Sequence, residues 1–174
     1  MKAAIFIDGW YVAKVTKDAN KRINFEKLSD ELTGSSYRIR TYYYTCMPYK
    51  SSPPTTEETR RYQNMQRFLN ALENIPRFEV KLGRLQYING KFTQKGVDMQ
   101  LGVDLAQMSA RKQMDEAIVI AADSDFVYAI QTAKDLGIVT KLVYYPQFNP
   151  NDSLLNVVDE RIVLDDELMN KCSL

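Results

Sequence analysis

The sequence predicts an α/β fold, a three-layer α/β/α sandwich in which helices cover both faces of a mainly parallel sheet. Short apolar segments alternate along the chain with segments of helical periodicity, as in parallel strands joined by helical crossovers. The 174 residues, of which 45% are hydrophobic and 26% charged, suit one compact core, and no linker or repeat divides them. We therefore predict a single domain over residues 1–174.

Strands are predicted where runs of apolar, β-branched or aromatic residues stop at turn-forming residues. The runs 3–7 (AAIFI) and 116–122 (EAIVIAA) each stop at an aspartate, as buried parallel strands do when they meet a turn. Asn89-Gly90 offers a tight turn between two strand-like segments within 77–92. The other predicted strands are 37–46, 138–146 and 161–164.

Helices are predicted where apolar residues recur at helical spacing between capping signals. Residues 24–33 begin at Asn24, a residue type that caps helix N-termini, and stop before Gly34. The segment 47–56 is rich in proline and hydroxyl residues and forms a loop. The other predicted helices are 57–74, 97–112, 126–136, 152–157 and a last helical turn.

The composition restricts the chemistry of any active site. The chain has no histidine, which excludes Ser-His-Asp and Cys-His catalysis and histidine-based zinc or copper sites. The two cysteines, Cys46 and Cys172, lack motif spacing, so a reducing cytoplasm is the default location. A metal site in this chain should therefore use oxygen ligands, which select Mg²⁺, Mn²⁺ or Ca²⁺.

Charge and hydropathy set further limits on partners. A net charge of +1 argues against holding nucleic acid by overall electrostatics, although it leaves room for a local basic groove. No window approaches the roughly 18 apolar residues of a membrane span, and the first residues do not form a signal peptide. We expect no membrane association.

Aspartates stand where ligands bind in α/β folds. Asp8 ends the first predicted strand, and Asp123 and Asp125 end a later one; if these strands are neighbours, their carboxylates converge. Asp98 opens a predicted helix, whose dipole favours an anion there. Each aspartate alone has an ordinary alternative as a turn or cap residue.

Taken together, these carboxylates indicate a metal site. Several like charges within a few ångströms repel one another unless a cation neutralises them. Bound there, Mg²⁺ or Mn²⁺ could lower the pKa of a water, hold a phosphate oxygen and stabilise the leaving oxygen. That chemistry hydrolyses a phosphodiester without a side-chain nucleophile.

Three motifs occur in this order along the chain: IFIDG at 5–9, KGVDMQLGVDL at 95–105 and VIAADSDFVYAI at 119–130. As a set they resemble the NYN domain, and more closely its bacterial LabA-like branch, a relative of the PIN-domain ribonucleases. The resemblance implies a PIN-like, Rossmannoid α/β/α sandwich with sheet order 3-2-1-4-5, and Mg²⁺- or Mn²⁺-dependent cleavage of RNA. The tail at 151–164 is also similar to the closing segment of that branch.

The resemblance also implies which residues act. The catalytic, metal-binding residues would be Asp8, Asp98, Asp123 and Asp125, with Ser124 in the same loop. Lys95 stands where a cation could meet a substrate phosphate.

The chain departs from the family pattern at two positions. Tyr11 replaces an asparagine that usually follows the first motif, which puts a polar contact near the ribose or the metal in doubt. Ala122 replaces a glycine before Asp-Ser-Asp and asks only for a slightly roomier turn.

Aromatic residues offer candidate sites for base stacking. Trp10 and Tyr11 follow Asp8-Gly9 directly, where they would either stack on a base at the mouth of the site or pack against a neighbouring helix. The run Tyr42-Tyr43-Tyr44 has the same two alternatives, with the core favoured.

The function predicted from the sequence is a divalent-metal-dependent ribonuclease that uses a metal-activated water held by an aspartate cluster. The alternative is a non-catalytic RNA-binding or protein-interaction module on the same scaffold, which Tyr11 favours and the intact acid set opposes. RNA is the predicted partner; the sequence leaves a homodimer open and identifies no protein partner.

Overall fold

A six-stranded parallel sheet forms the centre of the computed structural model, which describes all of residues 1–174. Its strands lie in the order β3-β2-β1-β6-β7-β8, and an antiparallel hairpin, β4-β5, stands apart from it. The strands are β1 (Lys2–Asp8), β2 (Tyr37–Thr45), β3 (Phe78–Leu82), β4 (Arg84–Ile88), β5 (Lys91–Lys95), β6 (Glu116–Ile120), β7 (Val139–Tyr144) and β8 (Glu160–Val163).

The predicted fold class is confirmed, and so is the predicted sheet order. Counting only the strands of the main sheet, the first five lie in the order 3-2-1-4-5, and β8 adds a sixth at the edge. Every neighbouring pair in this sheet is parallel.

Helices cover both faces of the sheet and close two apolar cores. The central strand β1 is buried on both sides: Ile5 and Ile7 point into one core, and Ala4 and Phe6 into the other. The first core contains residues of α1, α2, α3 and α7, and the second contains residues of α4, α5 and α6. These helices are α1 (Gly9–Ala19), α2 (Phe25–Thr33), α3 (Thr56–Glu73), α4 (Val97–Ala110), α5 (Val127–Asp135), α6 (Asp152–Val157) and α7 (Asp166–Lys171).

Helix α1 was not among the predicted helices. It follows β1 with no intervening loop, because the Asp8 carboxylate accepts hydrogen bonds from the backbone N–H groups of Trp10 and Tyr11 and so caps the helix. One aspartate thus ends the strand and starts the helix. None of the helices has both the length and the apolar character needed to cross a bilayer.

The segment 77–92 forms more strands than the two predicted. Strand β3 joins the main sheet, and Gly83 alone separates it from the hairpin. A Cβ atom at Gly83 would lie 2.6 Å from Cγ2 of Val97, so this close crossing requires glycine. The predicted turn at Asn89-Gly90 is present, with positive φ angles of 51° and 77°, as a type I′ turn requires.

Candidate metal centre

The two strands that lead to the aspartates are direct neighbours. Strands β1 and β6 pair in parallel with Ile7 opposite Ile120, so both chains leave the sheet at the same edge. Asp8 is the last residue of β1, and Asp123 lies three residues beyond the end of β6. The adjacency on which the predicted convergence depended is therefore present.

Three of the four predicted acids form one group, which we call the acid cluster: Asp98, Asp123 and Asp125. Their carboxylates each offer an oxygen that lies within 4.8 Å of the other two, and all three residues are exposed. None of them forms an ion pair with a lysine or arginine, since the ion pairs of the structure involve other acids. Oxygen donors that carry concentrated, unpaired negative charge fit a hard divalent cation such as Mg²⁺ or Mn²⁺.

Local backbone structure holds the acid cluster in place. Asp123 caps a short 3₁₀ turn, Ser124–Phe126, because its Oδ1 accepts a hydrogen bond of 2.9 Å from the N–H of Asp125. Asp98 lies in the first turn of α4, after Gly96 in a left-handed conformation with φ of 85°. Phe126 packs into the second core and anchors the turn.

Asp8 lies beside the acid cluster but is not part of it. Its side chain is buried, and it lines the same cavity as Asp98 and Asp123. Burial raises the pKa of Asp8 from its ordinary 3.8 to about 6; the N–H groups of Tyr11 and Trp10 oppose the rise, and the negative charges of Asp98 and Asp123 add to it. Asp8 thus caps a helix, as the ordinary alternative predicts, and its pKa also depends on the charges of Asp98 and Asp123.

The charge repulsion is also felt by Asp98. Asp98 is exposed as a residue, but the surrounding protein displaces part of the water around its carboxyl, and this desolvation raises its pKa; the neighbouring charges of Asp123 and Asp125 raise it further. A divalent cation among these oxygens would reverse the effect of the acids on one another.

Gly9 allows β2 to approach the end of β1 closely. A Cβ atom at this position would lie 2.5 Å from Cε1 of Tyr43 and 2.7 Å from the carbonyl oxygen of Tyr44. The Tyr43 hydroxyl donates a hydrogen bond of 3.3 Å to the Gly9 carbonyl. The glycine after Asp8 therefore has a packing reason that is independent of any ligand.

Trp10 and Tyr11, which the sequence placed together at the mouth of the site, point to different environments. Trp10 is 65% exposed and lines the cavity, whereas Tyr11 is only 5% exposed and belongs to the first core. A ring that is buried in the core cannot stack on a base. Packing is thus the alternative that the structure favours for Tyr11, and base stacking remains a prediction for Trp10.

The Tyr11 hydroxyl joins α1 to the loop after β7. It donates a hydrogen bond of 3.1 Å to the carbonyl of Phe148 and accepts one of 2.8 Å from the N–H of Tyr145. The backbone N–H of Tyr11 donates to Asp8, so one residue connects the candidate site to this loop.

We expect Tyr11→Phe to lower the free energy of unfolding by about 1–3 kcal/mol, because the N–H of Tyr145 and the carbonyl of Phe148 lose their buried partner. Burial raises the pKa of Tyr11 to about 12, so the hydroxyl stays protonated and the loss should not vary between pH 6 and pH 9. Urea denaturation followed by circular dichroism measures it. Tyr37→Phe is the control, because Tyr37 is exposed and its hydroxyl has no hydrogen bond. Equal stability of Tyr11→Phe and the wild type would contradict the structural role.

Lys95 and Ser124 are exposed residues next to the acids in the chain. Lys95 ends β5, three residues before Asp98, and forms no ion pair. Ser124 lies between the two clustered aspartates of the 3₁₀ turn. Their contacts with a substrate remain predictions.

The other candidate aromatic residues belong mainly to the interior. Tyr43 and Tyr44 are buried, and Tyr42 is half-buried and stacks on Phe6 with ring centroids 5.5 Å apart. The Tyr44 hydroxyl donates a hydrogen bond of 2.9 Å to Asp104, which lies outside the acid cluster. The core alternative is thus confirmed for this run.

A cavity of about 940 Å³ opens at the acids, and sequence reasoning did not find most of its lining. Missed residues include the cation Arg22 and the aromatic residues Tyr49 and Phe92. One signal was available for Phe92: the two-residue turn at Asn89-Gly90 sets a register that pairs it with Tyr87.

The fold and the site together define a class. A parallel α/β sandwich with a carboxylate cluster beyond the carboxyl end of a central strand is the arrangement of the PIN-like nuclease superfamily. Within it, residues 2–165 match the NYN domain, and the chain belongs to that family.

Two individual proteins are similar to this chain. An uncharacterized protein, y4oD, of Sinorhizobium fredii (strain NBRC 101917 / NGR234) is 32% identical over 65 residues, which are 37% of this chain and 30% of that protein. The crystal structure of VPA0982, a protein of unknown function from Vibrio parahaemolyticus RIMD 2210633, superposes with a TM-score of 0.74 at 16% identity. That match covers 99% of this chain and 96% of the other, and it supports the fold alone.

Proposed function

We propose that this protein is a divalent-metal-dependent ribonuclease of the LabA-like branch that hydrolyses RNA phosphodiesters. The observation that carries the proposal is the acid cluster: three carboxylates within 4.8 Å of one another that form no ion pair, beyond the carboxyl end of β6 in an NYN domain. The NYN family implies an RNA substrate, and the oxygen-only donor set suits Mg²⁺ or Mn²⁺.

Asp98, Asp123 and Asp125 would hold the ion, with Asp8 as the fourth carboxylate in the same cavity. When bound, such an ion supplies positive charge that lowers the pKa of a water and offsets the charge that develops on the phosphate. The carboxylate of Asp8 is oriented by hydrogen bonds from the N–H groups of Trp10 and Tyr11.

The remaining site residues would bind and orient the substrate. Lys95 and Ser124 are exposed, and each stands near an acid of the cluster in the chain: Lys95 three residues before Asp98, and Ser124 directly after Asp123. The ammonium of Lys95 and the hydroxyl of Ser124 would bind the substrate phosphate. The exposed ring of Trp10, next to Asp8, would stack on a base and so position the phosphodiester at the acids.

A non-catalytic RNA-binding or protein-interaction module on the same scaffold is the second candidate. Tyr11 favours it, because the family asparagine is replaced by a side chain whose hydroxyl is used within the core. We propose a cytoplasmic location on the ground that both cysteines are free thiols, and a homodimer remains a proposal without a supporting contact.

We expect a labelled single-stranded oligoribonucleotide to be cleaved in Mn²⁺ or Mg²⁺ at concentrations on the order of millimolar, and to remain intact in excess EDTA. Without the cation the four acids repel one another and no ion activates the water. Gel electrophoresis of the products measures cleavage. In a parallel thermal melt, Mn²⁺ should raise the Tm, because a ligand that binds only the folded state stabilises it. A raised Tm with RNA left intact would favour the binding module, and cleavage that persists in EDTA would contradict the mechanism.

A further inference from the structure

The cavity is a groove that follows helix α1 away from the acids. Trp10, Ala13 and Thr16 line it at helical spacing, and Arg22 lines it just beyond the end of the helix. The 11 residues of α1 span about 16 Å at 1.5 Å per residue. Stacked nucleotides rise by about 3.4 Å each, so the groove can hold roughly four or five of them.

Three aromatic rings lie side by side, and two of them line this groove; we call Tyr49, Phe92 and Tyr87 the aromatic row. Phe92 lies between the other two, with ring centroids 4.4 Å from Tyr49 and 5.0 Å from Tyr87. The three residues are between 45% and 66% exposed, although large aromatic side chains bury most of their surface in a core. Tyr49 and Phe92 line the same cavity as the acids.

The backbone of two elements presents the aromatic row. Tyr87 and Phe92 are direct partners across the hairpin β4-β5, so both rings point to one face of the ribbon. Leu85 lies on the same face and packs against the second core, which fixes the hairpin to the body of the protein. Tyr49 comes from the loop between β2 and α3.

Basic side chains line the groove beyond the acids. Arg22 is exposed and forms no ion pair, and Arg61 of α3 pairs only with Glu57 at the protein surface. Lys21 also lines the groove, but its ammonium pairs with Asp166, so Arg22 is the groove cation that no acid pairs. Because the whole chain has a net charge of only +1, phosphates in the groove depend on such local cations.

We propose that this groove binds a segment of single-stranded RNA, with bases stacked on the aromatic row and phosphates held by Arg22 and Arg61. The proposal rests on the proposed function for the identity of the ligand as RNA. Exposed rings bind bases through their faces, which a duplex hides in its own stack, so the site selects single strands. The unpaired cation of the groove favours a polyanion over an apolar protein segment.

Phe92→Leu tests the stacking, because leucine keeps apolar bulk against Tyr87 and lacks an aromatic face. The equilibrium Kd for a labelled single-stranded oligoribonucleotide, measured by fluorescence anisotropy in EDTA, should rise about fivefold or more, and Phe92→Trp should restore it. Tyr37→Leu is the control, because Tyr37 is exposed at the amino end of β2, whereas the acids follow the carboxyl ends of the strands. The Kd of this variant should equal that of the wild type. An unchanged Kd for Phe92→Leu, or equal affinity for the duplex, would overturn the proposal.

Arg22→Gln tests the phosphate contact. It should weaken binding and lower the slope of log K against log salt by about 0.7, the value for one phosphate contact of a single strand. The control is Arg111→Gln, because Arg111 is exposed at the far end of α4 from Asp98. An unchanged slope for Arg22→Gln would overturn the path along α1.

These measurements in EDTA require no cleavage, so they separate this proposal from the proposed function. If Phe92→Leu binds RNA more weakly and the protein does not cleave RNA, RNA binding in the groove is supported and the ribonuclease function is excluded. If the protein cleaves RNA with a divalent metal and Phe92→Leu leaves the Kd unchanged, the ribonuclease function is supported and RNA binding on the aromatic row is excluded.

Discussion

Replacing Asp123 with asparagine is expected to reduce RNA cleavage about 100-fold or more, because a metal ion contributes several kcal/mol of charge stabilisation and each 1.4 kcal/mol is tenfold in rate. The carboxylate of Asp123 is within 4.8 Å of those of Asp98 and Asp125, and its charge also raises the pKa of Asp8. The rate constant for cleavage in saturating Mn²⁺ is the measurement.

The substitution should leave the fold intact, which makes the result specific. Asparagine retains the side-chain oxygen that accepts the hydrogen bond from the N–H of Asp125, so the 3₁₀ turn keeps its cap. Asp165→Asn is the matched control, because Asp165 caps α7 through the N–H of Leu168 and lies outside the acid cluster. Cleavage by Asp123→Asn at the wild-type rate, with Mn²⁺ present, would exclude a metal-dependent role for the cluster.

The fold was predictable because its strands carry a strong local signal. In a parallel sheet that is covered on both faces, a central strand such as β1 is an almost continuous apolar run, and an aspartate marks its end. Helix α1 lacked an equally clear signal, since its cap is the same Asp8 that ends the strand. The boundary between β3 and β4 depends on the single residue Gly83, whose role follows from its distance to Val97.

The candidate site was predictable only in part, because proximity in space is not local in sequence. The motifs nominated Asp8 together with the three members of the acid cluster. The pairing of β1 with β6 brings Asp8 to the same end of the sheet as Asp123, whereas Asp98 reaches the site from the first turn of α4. Tyr11 shows the limit: its hydrogen bond from the N–H of Tyr145 joins residues 134 positions apart. No periodicity near residue 11 indicates that its hydroxyl is used inside the core.

The exposed aromatic residues show a second limit. Hydrophobic patterning ranks tyrosine and phenylalanine as core residues, and this was right for Tyr43 and Tyr44. It does not separate them from Tyr87 and Phe92, which have the same residue types on a hairpin outside the main sheet. The difference is that helices cover the main sheet, whereas the hairpin lies outside it. Whether an aromatic side chain is covered is therefore a tertiary property.

Asp8→Asn is expected to make the metal-free protein more stable while it reduces cleavage. In EDTA at pH 7.5, the free energy of unfolding should rise by roughly 1–3 kcal/mol, since each unit of pKa shift corresponds to about 1.4 kcal/mol. The asparagine side chain keeps the acceptor for the N–H groups of Trp10 and Tyr11 and removes a buried charge that Asp98 and Asp123 repel. Denaturant unfolding measures the gain.

The stability advantage of Asp8→Asn over the wild type should depend on pH. The pKa of Asp8 rises from 3.8 to about 6 on folding, so the folded protein binds this proton more tightly than the unfolded chain does. The stability that the proton provides is complete below pH 3.8 and is lost as the pH rises through about 6. The advantage of Asp8→Asn should therefore be largest above pH 6 and should disappear near pH 4.

A cation should also remove the advantage, because it neutralises the charge that makes ionised Asp8 unfavourable in the wild type. Saturating Mn²⁺ should thus stabilise the wild type more than Asp8→Asn, since binding to the folded state adds to its stability. Asp165→Asn, at an exposed cap, should show no gain at pH 7.5 and the same response to Mn²⁺ as the wild type. If Asp8→Asn is less stable than the wild type at pH 7.5, the carboxylate of Asp8 serves the fold rather than the candidate site. An advantage that persists at pH 4 would mean that the buried charge is not the cause of the gain. A gain that vanishes both in acid and in Mn²⁺ means that the buried charge is maintained at the expense of stability, which is expected of a residue retained to bind a cation.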